Sequence, residues 1–309
     1  MSFLNGESWK IPESTFDERS VLSTERGTRI DSRTHSGLIA QCANPGCGSG
    51  WLHLFRKRTR PMFEGGWSCS PQCTEARLQL AVRREFAGWV PVEEPHRHRI
   101  PIGLLMLEQG SITSRQLRQA IDAQKKGGNL RIGEWLVKQG ATDEATVSRA
   151  LGVQWGCPVL SLADFSAEAA TGVMPRLFLE VFKVLPIRVA AHKILYLGFE
   201  ERVDSALALS AERMTGLRVE SGVVQTSAFK NASAQILNGP FPQVQFAEAV
   251  SGAAAAHLLA KFVERLQPAA SRLVRVHEWL WLRMFLKPQD AGNLKISLVR
   301  DVICTIGPF

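Results

Sequence analysis

The 309-residue sequence predicts an α+β protein of several domains, and three observations carry that expectation. Between Ile102 and Gln154 the chain repeats a helical pattern with a period of 30. After Pro158, strand-like apolar runs alternate with helical ones. Ahead of both lie four cysteines in two close pairs.

Hydrophobic residues make up 45% of the chain and charged residues 21%, a balance that supports buried cores and excludes a wholly disordered or fibrous protein. The net charge of +8 permits an anionic partner without demanding one. No run reaches the ~18 apolar residues of a membrane span. The opening residues 1–20 lack the apolar core of a signal peptide. The expectation is a cytoplasmic protein without membrane insertion.

Residues 1–36 are polar and read as a flexible lead-in. Residues 37–92 form the cysteine module, with Cys42 and Cys47 separated from Cys69 and Cys73 by 21 residues. Zinc takes four thiolates in a tetrahedron, which two tight ligand pairs joined by a hairpin can supply. Asn44-Pro45-Gly46 and Ser70-Pro71-Gln72 give each pair its turn. Cys73 opens a helical stretch whose positive end favours a thiolate, and Leu78, Val82 and Phe86 recur on one face of it. The expectation is a structural zinc held by Cys42, Cys47, Cys69 and Cys73 in a treble-clef-like finger. Between the pairs, Arg56-Lys57-Arg58-Thr59-Arg60 with Trp51, Phe55 and Trp67 reads first as a solvated hairpin tip. Its alternative is a nucleic-acid contact, which would make the protein a zinc-dependent nucleic-acid-binding regulator.

Residues 93–160 hold the repeat. Ile102/Ile132, Gly103/Gly133, Gln109/Gln139, Gly110/Gly140, Ala120/Ala150 and Gln124/Gln154 are identical pairs, and no gap is needed. Each copy reads as a helix, a glycine stop and a second helix, with Gly110 and Gly140 suited to a left-handed cap and Thr113 and Asp143 to N-caps. Residues 161–239 form a small α+β unit: strands over 183–189 and 194–199, a helix over 202–214, a short strand at 217–219 and a helix over 226–237. In residues 240–309 a helix is expected over 245–266, followed by two strand-like runs, 272–286 and 294–304, forming a hairpin.

No Gly-Lys dipeptide of a phosphate loop occurs, and neither His-Glu-x-x-His nor Gly-x-Ser-x-Gly is present. No pair of carboxylates suggests acid–base work, so no enzymatic activity is expected. Cys157 and Cys304 read as small buried hydrophobes.

The stretch Arg131-Ile132-Gly133-Glu134-Trp135-Leu136-Val137-Lys138-Gln139-Gly140, followed by Val147, Ala150-Leu151 and Gln154, resembles the N-terminal domain of type II secretion and type IV pilus assembly ATPases. The resemblance continues through Gly156-Cys157-Pro158, Met174-Pro175, Val184-Leu185-Pro186-Ile187, Leu195-Tyr196-Leu197 and Thr215-Gly216-Leu217, covering about residues 99–238. It implies a bacterial adaptor or sensor that docks a protein of a secretion, pilus or signalling system. A subset of that family binds cyclic di-GMP through two such motifs, using the opening arginine, the first glycine and the closing glutamine. Carried over, the ligand set is Ile102, Gly103, Gly110 and Gln124 in the first copy, and Arg131, Ile132, Gly133, Gly140 and Gln154 in the second. Pro101 stands where the first copy would have its arginine, and Arg99 is the substitute two residues earlier. Thr142 also departs from the apolar residue of the pattern. The alternative for the glycines and apolar stripe is packing of the hairpins alone.

Overall fold

The computed structural model describes residues 41–48, 60–87, 99–127, 130–289 and 294–307. The lead-in 1–36 and the basic residues Arg56–Thr59 lie outside them. A two-stranded hairpin, β1 (Met62–Phe63) and β2 (Gly66–Trp67), precedes α1 (Pro71–Phe86). The helix starts three residues before the expected Thr74, because Ser70 caps it and Pro71 fits its first turn.

The repeat forms four helices, α2 (Ile102–Glu108), α3 (Ser114–Lys125), α4 (Ile132–Lys138) and α5 (Glu144–Trp155). Thr113 and Asp143 cap α3 and α5 through the Gln116 and Thr146 amides. Gly110 and Gly140 adopt φ of +69° and +67°, so each hairpin turns where a Cβ would be strained. Met106, Ala120, Leu136 and Ala150 fill a core of their own.

Two short helices then follow that the sequence reading did not anticipate, α6 (Ala167–Thr171) and α7 (Arg176–Phe182). After them come β3 (Val184–Ala190), β4 (Ile194–Phe199), α8 (Ser205–Thr215), β5 (Arg218–Val223) and α9 (Thr226–Leu237). Strand β4 pairs antiparallel with β3 and parallel with β5.

The C-terminal part departs from expectation. Residues Gln243–Ala249 are a strand, β6, and the helix α10 (Gly252–Leu266) begins only after it. Val244, Phe246 and Glu248 alternate with residues on the other face, and pairing with the last strand outweighs any local helical tendency. Ser251, whose hydroxyl accepts the Ala254 amide, was the available start signal. The run 272–286 is not one strand but a hairpin in itself, β7 (Ala270–Val276) and β8 (Trp279–Phe285), turned at His277-Glu278. With β9 (Val299–Ile306) the result is a four-stranded sheet ordered β6-β9-β8-β7 in place of the expected two-stranded hairpin, while the expected helix is present but shorter at its start.

This sheet is a central layer. Val274, Val276, Trp281 and Ile303 face the α+β unit, while Leu273, Leu280, Leu282, Met284, Val302 and Cys304 face α10. Burial of both faces explains why β8 reads Trp-Leu-Trp-Leu with no polar alternation. Helix α1 lies on α10, and its Leu78, Ala81 and Val82 join that second core. Glu85 fixes the arrangement: buried at the end of α1, it accepts from Arg213 on α8 (2.9 Å) and from the Arg275 amide on β7 (3.2 Å). Burial raises its pKa, but Arg213 and Arg84 outweigh that and hold its carboxyl below the usual range.

At the β7–β8 turn the His277 ring stacks on Phe182, and its Nε2 lies 2.9 Å from Asp204, the N-cap of α8. The hydrogen bond to Asp204 raises the imidazole pKa, with burial opposing. Burial also pushes Asp204 up, yet His277 and the Leu207 amide bring it below its ordinary value. A raised folded pKa gives stabilisation that is complete below ~6.5 and is lost as the pH climbs through the folded value. We therefore expect His277→Asn, which tolerates the positive φ, to lower the melting temperature at pH 6 but hardly at pH 9. An equal loss at both values would show that only ring packing matters.

Candidate functional site

The four cysteines converge. Two turns and the start of α1 bring Cys42, Cys47, Cys69 and Cys73 so close that all four Sγ atoms lie within 4.8 Å of one another. The Cys47–Cys69 and Cys69–Cys73 sulfur pairs are 3.6 and 3.5 Å apart. A tetrahedral ion with ~2.3 Å sulfur bonds has sulfur–sulfur edges of ~3.8 Å, so the four donors fit one ion. The surroundings orient the sulfurs, since the Cys69 amide points at Cys42 Sγ (3.4 Å) and Asn44 Nδ2 donates to Cys73 Sγ (3.3 Å). Desolvation, then the neighbouring thiols, push the Cys69 thiol up to about 12 when it must share this space as a thiol. A divalent cation removes that penalty by binding thiolates. Trp67 is buried against the cysteines and donates its indole N–H to Arg60 O (3.1 Å), so it serves the core of the finger.

The two repeat copies fold head to tail. Gln124, closing the first copy, donates to Leu130 O just before Arg131 (3.1 Å). Gln154, closing the second, donates to Ile100 O just after Arg99 (2.7 Å). The two bonds are related by the same shift of 30 residues, so each opening segment is held by the other copy's glutamine. Arg99 donates to Gln154 O (3.2 Å) and lays its guanidinium on the Trp155 ring, 3.3 Å from the centroid. Arg131 is 58% exposed at the head of α4 and pairs with Glu201, beyond β4. Its amide donates to Glu134 (3.0 Å), which Lys230 of α9 also contacts (3.2 Å). Those contacts, the Arg131 amide first, hold the Glu134 carboxyl below the usual range.

Gly103 and Gly133 are buried. A Cβ on them would come within 2.6 Å of Leu117 and 2.8 Å of Val147, which are also equivalent positions. Each glycine thus lets the two helices of its hairpin touch. Ile102 and Ile132 pack against the repeat core from its edge. Gly110 and Gly140 are caps on the exposed turns. Sequence reasoning missed Glu201, Lys230 and Glu144, the last accepting from the Ser227 amide and hydroxyl at the start of α9; these groups tie the second copy to the α+β unit. Only Glu134, three residues beyond Arg131, carried a local capping signal.

No family model matches this chain. Over 95 residues it is 34% identical to the type IV pilus assembly ATPase PilB of Myxococcus xanthus, a stretch that is 30% of this chain and 17% of the relative. A structure of MshE with cdg aligns over 45% of this chain and 99% of its own, at 22% identity and a TM-score of 0.35. The N-terminal domain of XpsE aligns over 43% and 92%, at 17% identity and a TM-score of 0.32. A stretch of 95 residues of this chain is therefore similar in sequence to part of a type IV pilus assembly ATPase. The chain spans about a sixth of the length of its curated relative, and its 309 residues contain no Gly-Lys phosphate loop. Among the described residues no helix is long and apolar enough to cross a membrane.

Proposed function

We propose that this protein is a non-catalytic adaptor whose tandem repeat senses cyclic di-GMP and docks a protein of a secretion, pilus or signalling system, with a structural zinc at the four cysteines. The observation that carries the reading is the reciprocal placement of the motifs. Each opening segment, with Arg99 or Arg131, sits beside the closing glutamine of the other copy, so the two motifs act as one unit. A guanidinium offers guanine a planar, charge-assisted contact, and Arg131 is exposed enough to make it. Arg99 is already stacked on Trp155, which makes the second copy the dominant one.

Calorimetry of the whole chain against cyclic di-GMP, with GTP as control, tests this. Arg131→Ala should weaken binding about ten- to a hundred-fold with little change in thermal stability. Pro101→Arg, restoring the missing guanidinium, should tighten it. Glu201→Gln should tighten it too, since the dinucleotide must take Arg131 from Glu201. Absence of heat at high micromolar concentration for both the natural protein and Pro101→Arg would leave a docking scaffold only.

A further inference from the structure

In the second repeat copy the outer face of α4 and α5 is docked. It meets the start of α9 across a cleft of about 310 Å³, lined by Leu130, Glu134, Val137 and Glu144 on one side and by Ser227 and Lys230 on the other. Glu134 accepts from Lys230 at 3.2 Å, and Glu144 accepts from the Ser227 amide at 3.4 Å and from its hydroxyl. A shift of 30 places gives the matching face of the first copy, Ile100, Leu104, Leu107 and Ser114. That face is open. Ile100 and Leu104 are 57% and 52% exposed where Leu130 and Glu134 are partly buried, and Ser114 and Arg115 are exposed where Glu144 and Ala145 are partly buried.

Contact with water alone would favour the opposite distribution. The covered face carries the two carboxylates, while the open one has Leu104 for Glu134, Ser114 for Glu144 and Arg115 for Ala145. A single exposed leucine is ordinary on any protein. Here, however, Ile100, Leu104 and Leu107 recur at intervals of four and three, the spacing at which a helical segment offers an apolar stripe to a second helix. The core of the hairpin is already filled from the other side of α2 by Leu105 and Met106, so packing within the repeat does not require Leu104. The twin face shows what such a surface receives in this fold: the first turns of a helix.

We propose that the Ile100–Leu104–Leu107 face of the first copy docks an amphipathic helix of a protein partner, seated as α9 is seated on the second copy. The partner helix starts over Ser114 and Arg115, with an acidic residue in its first turn for the Arg115 guanidinium. An acid there also suits the positive end of the helix. One turn on, it lays an apolar side chain over Leu104 in the place that Lys230 takes on Glu134. The change of charge also excludes an occupant. The first copy has no carboxylate at either matched position, so α9 of a second copy, with its Lys230, does not suit it. The proposal rests on the docking half of the function above, to which it gives a place and a chemistry, and it stands without the dinucleotide.

The test is a methyl ¹H–¹³C spectrum of the full chain, with the Leu104 peaks identified by their loss in Leu104→Glu. A capped, alanine-based helical peptide with glutamates in its first turn and leucines at every third or fourth position should move the Leu104 and Ile100 peaks saturably. The same peptide with lysine for its first leucine, as in α9, should bind about ten-fold more weakly or worse. Leu104→Glu, which gives the first copy the residue of its twin, should weaken the leucine peptide by a similar factor. Its melting temperature should hardly change, because the side chain replaced is half exposed. Equal affinity for the leucine and lysine peptides, or no shift with either, overturns the proposal, as do shifts produced by phosphatidylserine vesicles but not by the peptide. Saturable shifts confined to other methyl groups overturn this surface and leave the adaptor reading standing. Calorimetry with cyclic di-GMP on Leu104→Glu separates the two readings, since its heat should match that of the natural protein whether or not the peptide binds.

Discussion

Replacing Cys69 by serine should abolish metal binding at the proposed zinc site and destabilise the C-terminal sheet along with the finger. The natural protein, purified without chelator, should carry one zinc per chain by elemental analysis. Cys69 contacts all three other cysteines, Cys47 and Cys73 through its sulfur and Cys42 through its amide, so its loss removes the ligand that joins the pairs. Because metal binding is coupled to folding at such sites, the start of α1 and the β1–β2 hairpin lose their anchor. The damage cannot stop there. Leu78, Ala81 and Val82 of α1 share a core with Leu259, Val263, Leu282 and Met284. β1 is also stitched to β7, its Met62 and Glu64 amides donating to Pro268 O and Ser271 O at 3.0 and 2.8 Å. A loss of more than about 4 kcal/mol is expected for this combination of lost metal and opened core. Hydrogen exchange should show the loss in α1, α10 and β7, while α2–α5, with their separate core, stay protected. Protection lost over 60–87 alone would mean that the finger is an independent unit, and a full-length protein free of zinc would remove the metal altogether.

How much of this was legible depends on the range of the interaction concerned. Local signals read well: Thr113 and Asp143 as caps, Gly110 and Gly140 as turns, and the 226–237 helix. In each case the deciding contact is within a few residues. The cysteine cluster was legible because coordination chemistry fixes which four side chains must meet, whatever the path between them. The C-terminal sheet was not. β6 owes its strand to parallel pairing with β9, some 55 residues later, and no local residue encodes that. The 15-residue run 272–286 is far longer than the usual ~6 residues of a strand, and that length was the unused hint of a hairpin inside it. Gly103 and Gly133 read either as ligand contacts, through the family motif, or as packing positions of the hairpins. The structure gives them helix packing against Leu117 and Val147, partners that the sequence, showing only a periodic small residue, does not name.

Burying an ion pair in the centre of this molecule gives the second large effect, at Arg283 and Asp301. Both are about 1% exposed, in the middle of the sheet. Arg283 Nε and Nη2 donate to the two Asp301 oxygens at 2.8 Å, a forked pairing that also receives the Trp281 indole N–H at 2.8 Å. The remaining nitrogen, Nη1, crosses to the carbonyls of Gly172 and Val173 at 2.8 and 2.6 Å. One residue thus ties β8 and β9 to the turn after α6. Asp301→Leu leaves a guanidinium buried without its counter-charge, and Trp281 loses its acceptor. Breaking such a pair from one side costs about 3–5 kcal/mol, far more than the pair itself contributes. Arg283→Met alone should cost a similar amount, through the stranded carboxylate. The double variant Arg283→Met, Asp301→Leu should recover most of the loss, because two apolar side chains suit this face of the sheet, which also carries Val274, Trp281 and Ile303. Recovery should stop about 1–3 kcal/mol short of the natural protein, since the Gly172 and Val173 carbonyls and the Trp281 N–H still lack partners. Urea unfolding of the four proteins closes the cycle. Additive losses in the double variant would mean that Arg283 acts through its carbonyl contacts alone, and that the carboxylate is not what keeps a charge at the heart of the sheet.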